Sequence, residues 1–283
     1  MDQIKIVNYA DKFLTFYETA IKENADSERR WELWNKHYGF AAVPPGEQGR
    51  AIARKLLEEA WPKYPSIIER IKNWDPKVEE IQNVLIEVKE TLGYTDSISL
   101  GVLYYVGGLE RNAFVAPGEG GQIFVCLPIE EDDVDIILAH ELTHIVHAKK
   151  ANHTPNWERN IASTILMEGL AIHVSQLLVP GRPVKEYIEH KPNWLQQCYS
   201  KKRSIIEGIF NHLSESDSDA VYRFTMGEGT TGIDREAYFA GWELVDFAMK
   251  NGHTLSEIAE IEEKDAPVFV EKLILKYLEE MLV

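Results

Sequence analysis

Residues 136–147 read Ile-Ile-Leu-Ala-His-Glu-Leu-Thr-His-Ile-Val-His, an apolar segment with His140, Glu141 and His144 set into it in the pattern HExxH. At about 100° per residue in a helix, His140 and His144 project from one face a single turn apart, close enough to share a metal ion. Glu141 points in a neighbouring direction, where it can reach a water on that metal without coordinating the ion itself. Two imidazoles and a carboxylate buried on so apolar a helix are costly without a partner, which favours ligand roles over ordinary hydrogen-bonded histidines. The acidic run Glu130 to Asp133 precedes the helix and suits its positive end, and Lys149 and Lys150 suit the other.

A catalytic zinc site has three protein ligands and one open position, so a third ligand must lie elsewhere. Glu168 is the best candidate. It sits 24 positions beyond His144 among Ile161, Ile165, Leu166, Leu170 and Ile172, where a carboxylate needs a cation or strong donors to stay ionised. An ordinary salt bridge is the alternative. His147 shares the first helix face but lies roughly 4.5 Å further along the axis. His153 could fold back toward the site, and His173 reads equally as a core group.

Working outward, residues 2 to about 92 read as helical, with Phe13, Phe16, Tyr17 and Ala20, then Ile81, Val84, Leu85 and Val88, at three- and four-residue spacing. Val43-Pro44-Pro45-Gly46, Trp61-Pro62 and Asp75-Pro76 break this region. Its tryptophans, Trp31, Trp34, Trp61 and Trp74, read as packing anchors before they read as a substrate surface. Three short apolar runs follow, at Ile98–Val106, Ala113–Ala116 and Gln122–Leu127, separated by glycine-rich turns. They predict a small, mainly antiparallel sheet beside the HExxH helix. Helical spacing then returns to the C-terminus. The expectation is a mostly helical α+β chain with a helical region at 1–92, a zinc-binding core at 93–180 and a second helical region at 181–283, all in one compact unit.

Bulk composition narrows the function. The chain has 283 residues, 45% hydrophobic and 27% charged, as in ordinary globular proteins. A formal net charge of -16 repels phosphate backbones and anionic membrane surfaces, so neither nucleic acid nor membrane is expected as a partner. Nothing at the start of the sequence has the form of a signal peptide, and no apolar run approaches the ~20 residues that span a bilayer. Two distant cysteines, Cys126 and Cys198, suggest neither a disulfide framework nor a thiolate zinc site, and a cytoplasmic setting fits. Oligomeric state is not readable.

His140-Glu141-Leu142-Thr143-His144 followed by Glu168-Gly169-Leu170-Ala171 resembles the gluzincin metallopeptidases, the class of thermolysin and the aminopeptidase N relatives. The chain also resembles small bacterial proteins labelled predicted zinc-dependent proteases. The resemblance covers roughly residues 95 to 180 and is close at the two motifs. It implies zinc held by His140, His144 and Glu168, with Glu141 as the base that activates water for peptide hydrolysis. It also implies that residues 121–127 form an edge strand able to pair with an extended peptide.

Departures from the family pattern are visible. Met167 stands where an Asn often precedes the third ligand, and Ile172 stands where thermolysin relatives place an Asp that orients a zinc histidine. No amine-binding GxMEN motif is present, and Glu119 is a weak substitute for one. Gluzincins place a Tyr or His downstream of the third ligand to steady the oxyanion, and Tyr238, 70 positions past Glu168, is the candidate here. A core tyrosine is the competing reading. Tyr222, His173, His212 and His253 are weaker options, and Arg235 could bind a substrate carboxylate. These readings predict a zinc metallopeptidase acting on a peptide or protein. The rivals are an inactive binding or regulatory module and a zinc hydrolase of a non-peptide amide.

Overall fold

Gln3–Asn8 alternates Ile4 and Ile6 with Gln3 and Lys5 and forms a strand, β1, in a segment that the helical reading of residues 2–92 had absorbed. The alternation is period two, the strand signal; the partner that fixes it lies some ninety residues away. In this computed structural model the described residues are 2–43, 46–109, 113–118, 122–130, 134–153 and 157–281. They divide into two compact units, Met1–Gln82 with Ser97–Val134, and Asn83–Asp96 with Asp135–Val283. The expected boundaries at 92 and 180 are therefore not those of the units. The sheet belongs to the first and the HExxH helix to the second.

The first unit continues with α1 (Ala10–Lys22), α2 (Ser27–His37), α3 (Glu47–Ala60) and α4 (Ile68–Lys72). Helix α5 (Val78–Leu92) spans the division between units. Strands β2 (Ser99–Tyr105), β3 (Phe114–Pro117) and β4 (Ile123–Pro128) complete a four-stranded sheet of order β1-β2-β4-β3. The α+β class stands, but the sheet is mixed. β1 runs parallel to β2 (Ile4 opposite Leu100) and β2 parallel to β4 (Leu100 opposite Ile123). Only β3 and β4 are antiparallel, with Val115 opposite Val125. Three runs joined by turns invite a meander; here β3 reverses outside β4, which brings β4 back parallel to β2.

β4 is flanked on both sides, and five of its six residues are buried, as suits a central strand. It is consequently not the edge strand expected for peptide pairing. That place is taken by β3 and, at the other side, β1. The helices of this unit pack around aromatic rings: Phe13 lies 5.4 Å from Tyr38 and 4.9 Å from Tyr64. The Tyr38 hydroxyl donates to the Val106 carbonyl and accepts from its amide, binding helix to strand end. Trp31 stacks on Trp34, Trp61 packs on Tyr17, and Trp74 packs on Tyr104, so the tryptophans here are packing anchors.

The second unit is helical. Its centre is α6 (Asp135–Lys150) and α7 (Ile161–Leu178). Around them lie α8 (Val184–Ile188), α9 (Trp194–Ser200), α10 (Lys202–Phe210), α11 (Ser218–Thr225), α12 (Glu236–Lys250), α13 (Leu255–Ile258) and α14 (Ala266–Glu280). Asn160 caps α7 by accepting from the Ser163 amide, and thereafter nearly every residue to Ser175 is buried. By length and composition α7 could cross a membrane, but 78% of it is buried inside the fold and it serves as the core helix. Helix α12 lies directly on it. A Cβ at Gly169 would stand 2.3 Å from the Gly241 carbonyl oxygen, and one at Gly241 would stand 2.4 Å from that of Ile165. Only glycine at both positions lets the two backbones approach so closely.

Candidate metal centre

His140, Glu141 and His144 each offer a ligand atom within 4.8 Å of the others, and the two imidazole rings stand perpendicular with centroids 4.7 Å apart. This is what i, i+4 spacing on α6 dictates. Glu168 comes to the same place from α7: its Oε2 lies 3.3 Å from His140 Nε2 and 3.6 Å from His144 Nε2. That oxygen is buried and accepts no hydrogen bond, and His144 Nδ1 is likewise buried without a partner among the described residues. Two imidazole nitrogens and a carboxylate oxygen converging without hydrogen bonds are a donor set that fits zinc chemically. An unsatisfied buried carboxylate oxygen is otherwise hard to sustain.

Electrostatics at the site separate the groups. Burial raises the Glu141 carboxyl, with the Glu168 charge adding and His140 opposing, to about 7. Burial would raise Glu168 as well, but the nearby His144 and His140 rings outweigh it and hold that carboxyl well below its usual value. His144 is lowered, by burial first, to about 4. Burial also disfavours the charged His140, yet its contact with Glu168 and the Glu141 charge leave it raised. A deprotonated Glu168 beside a neutral His144 leaves lone pairs available to a cation, and a carboxyl near neutrality can take up and release a proton.

Helix α12 brings Tyr238 to this region. It stands one turn before Gly241 and packs on the cluster of Ile172, Trp194 and Phe239, which Ile136 also joins. Ile172 lies one turn beyond Glu168 on α7, and Ile136 one turn before His140 on α6. Burial, then the Glu168 charge, push the Tyr238 hydroxyl upward, so it keeps its proton and can donate. The Arg235 guanidinium lies 5.3 Å from the centre of the Tyr238 ring.

The other candidates go elsewhere. His147 is wholly buried with neither nitrogen hydrogen-bonded, and its ring lies 4.8 Å from that of His153. The His153 Nε2 approaches the Ile261 carbonyl. The His173 Nε2 lies 2.8 Å from the Trp242 carbonyl and ties α7 to α12. His212 pairs with Glu215, His253 lies exposed against Phe269, and Tyr222 is exposed. Glu119, considered as an amine anchor, lies outside the described residues, as do Pro44, Pro45, Gly121 and the acidic positions 131–133.

Arg159 is the residue sequence reasoning passed over. Its Nε donates to Thr164 Oγ1, and its charge bears on Glu168, His144 and Tyr238. The signal available was a cation just ahead of α7, a helix whose sole charged side chain is Glu168.

Two histidines and a carboxylate on one buried helix, joined by a second carboxylate from its neighbour, define an HExxH-type candidate metalloprotein. The family model described as Predicted Zn-dependent protease (DUF2268) matches residues 111–267, more than half of the chain, and the chain belongs to that family. No curated protein and no solved structure matches it.

Proposed function

We propose that the protein is a zinc metallopeptidase in which His140, His144 and Glu168 hold the ion and hydrolysis of a peptide bond proceeds through Glu141 as general base. The observation that carries this reading is the Glu168 Oε2, buried between two imidazole Nε2 atoms without a hydrogen bond. Zinc held there supplies Lewis acidity that polarises a carbonyl and acidifies water. Glu141 takes a proton from the attacking water as its oxygen joins the carbonyl carbon. The same carboxyl then delivers that proton to the amide nitrogen as the C–N bond breaks. The Tyr238 hydroxyl donates to the oxyanion formed between these events, and its raised proton affinity keeps it a donor.

The substrate is a peptide or protein, and nucleic acid is excluded from the reading by the net charge of -16. Cys126 and Cys198 are both buried, and a cytoplasmic setting belongs to this reading. Metal analysis of the native protein alongside Glu168→Ala and Glu141→Gln tests the assignment. Zinc is expected to be lost in the first and retained, with cleavage lost, in the second. Full zinc occupancy in Glu168→Ala would overturn the ligand set.

A further inference from the structure

Arg235 sits between two acidic residues, Asp234 and Glu236, that would ordinarily neutralise it, and neither does so. The Asp234 carboxylate is taken by His190 Nε2 at 2.8 Å and Lys191 Nζ at 2.7 Å, and its carbonyl by the Trp194 indole at 2.7 Å. The Glu236 carboxylate is taken by the amides and hydroxyls of Thr230 and Thr231, four bonds between 2.6 and 3.0 Å. Clamped on both sides, Arg235 adopts φ 58°, a left-handed conformation uncommon for an L side chain, at the start of α12. Its guanidinium is half-buried, lies over the Tyr238 ring and pairs with no carboxylate among the described residues.

The charge is also aimed. Tyr238 shares its cluster with Ile172 and Ile136, which flank Glu168 and His140 by one turn each. The Arg235 guanidinium lies 5.3 Å from the centre of the Tyr238 ring, so its charge stands on the tyrosine that this cluster holds. A half-buried guanidinium fork with its local counter-ions occupied elsewhere is suited to a planar anion.

We propose that Arg235 binds a carboxylate of the substrate beside the scissile bond, so that the enzyme prefers substrates carrying one there. This rests on the peptidase reading above. The carboxylate could belong to the substrate's C-terminus or to an acidic side chain, and the two sources are separable. A peptide pool with free C-termini is compared with the same pool amidated, and with one in which Asp and Glu are replaced by Asn and Gln. Wild-type kcat/KM should fall at least tenfold on whichever pool lacks the recognised carboxylate. Arg235→Met should fall to that lower level on the carboxylate pool, with zinc content unchanged, and Arg235→Lys should recover part of the preference.

Equal cleavage of all three pools by the wild type would overturn the proposal. So would an Arg235→Met variant slowed as much on neutral as on carboxylate substrates. Should the wild type cleave no pool, the peptidase reading fails, and direct binding decides the role of Arg235. Fluorescently labelled peptide from each pool is titrated into zinc-loaded Glu141→Gln with and without Arg235→Met. A tenfold weakening confined to the carboxylate pool supports the role, and unchanged affinity refutes it.

Discussion

Glu168 and Glu236 are both buried carboxylates on helices of the same unit, 4% and 0% exposed, and their surroundings are opposite. Glu236 receives four hydrogen bonds, two from backbone amides and two from hydroxyls, and Gly229 leaves the room that its side chain fills. The Oε2 of Glu168 receives none and faces two imidazole nitrogens. A buried carboxylate with a full complement of donors holds a loop together. One that faces other lone-pair donors is set up for a cation. Burial alone does not distinguish a structural carboxylate from a ligand; the chemistry of its neighbours does.

The contrast is tested most strongly through activity. Glu141→Gln removes the base and leaves the ligand set, so peptide cleavage should fall by roughly 10²- to 10⁴-fold while zinc content is unchanged. Retained cleavage with bound zinc would remove Glu141 from the mechanism. Next comes Glu168→Ala. If a protein-held zinc is worth on the order of 10 kcal/mol, one ligand of three carries about 3 kcal/mol, and zinc affinity should weaken by roughly 10²- to 10³-fold. Competition against a chelator of known affinity measures it. The matching change at Glu236 should leave zinc affinity where it is, and loss of zinc there would erase the distinction between the two carboxylates.

Most of the candidate site was legible because its determinants are local. His140, Glu141 and His144 need only helical spacing, and Glu168 announces itself as the one charge in an apolar helix. What was not legible depends on contacts between distant segments. β1 pairs with β2 across ninety-odd residues, and nothing in Gln3–Asn8 states that partner or its direction. Gly241 could be singled out for close packing, but that it meets Gly169, beside Glu168, is a tertiary fact. Arg235 could be singled out as a carboxylate binder, but that Asp234 and Glu236 beside it leave it unpaired is likewise a tertiary fact. Only the partners of the flanking carboxylates, at His190, Lys191, Thr230 and Thr231, release it.

Stability sharpens the comparison further. Glu236→Ala leaves four donors without an acceptor, two of them backbone amides that cannot turn away, and should cost about 4 kcal/mol in denaturant unfolding. Glu168→Gln in the metal-free protein removes a charge whose partners are two imidazoles rather than a full set of donors, and should cost about 2 kcal/mol, less than Glu236→Ala. A metal-free Glu168→Gln as unstable as Glu236→Ala would mean that Glu168 is held by the fold itself rather than kept for a cation.

A pH dependence of comparable modest size tests the site without removing a ligand. The Glu141 carboxyl titrates near 7 in the folded protein against a usual 4.5, chiefly because burial disfavours its charge. The folded state therefore holds a proton that the unfolded chain has released between these values. Its contribution to stability is present below about pH 4.5 and is lost as pH rises toward 7. At 1.36 kcal/mol per unit the loss is at most about 3 kcal/mol, and relaxation around the carboxylate should bring it nearer 2. His144, lowered to about 4 in the folded protein, adds its own pH dependence over part of this window, so the quantity to read is a difference. Metal-free wild type and Glu141→Gln are unfolded in denaturant at pH 5 and at pH 7.5. The substitution should stabilise the protein at the higher pH relative to the lower by about that amount. A difference that does not change with pH would place the Glu141 carboxyl in a wetter setting than its buried position on α6 implies, and would weaken its claim to be a base poised near neutrality.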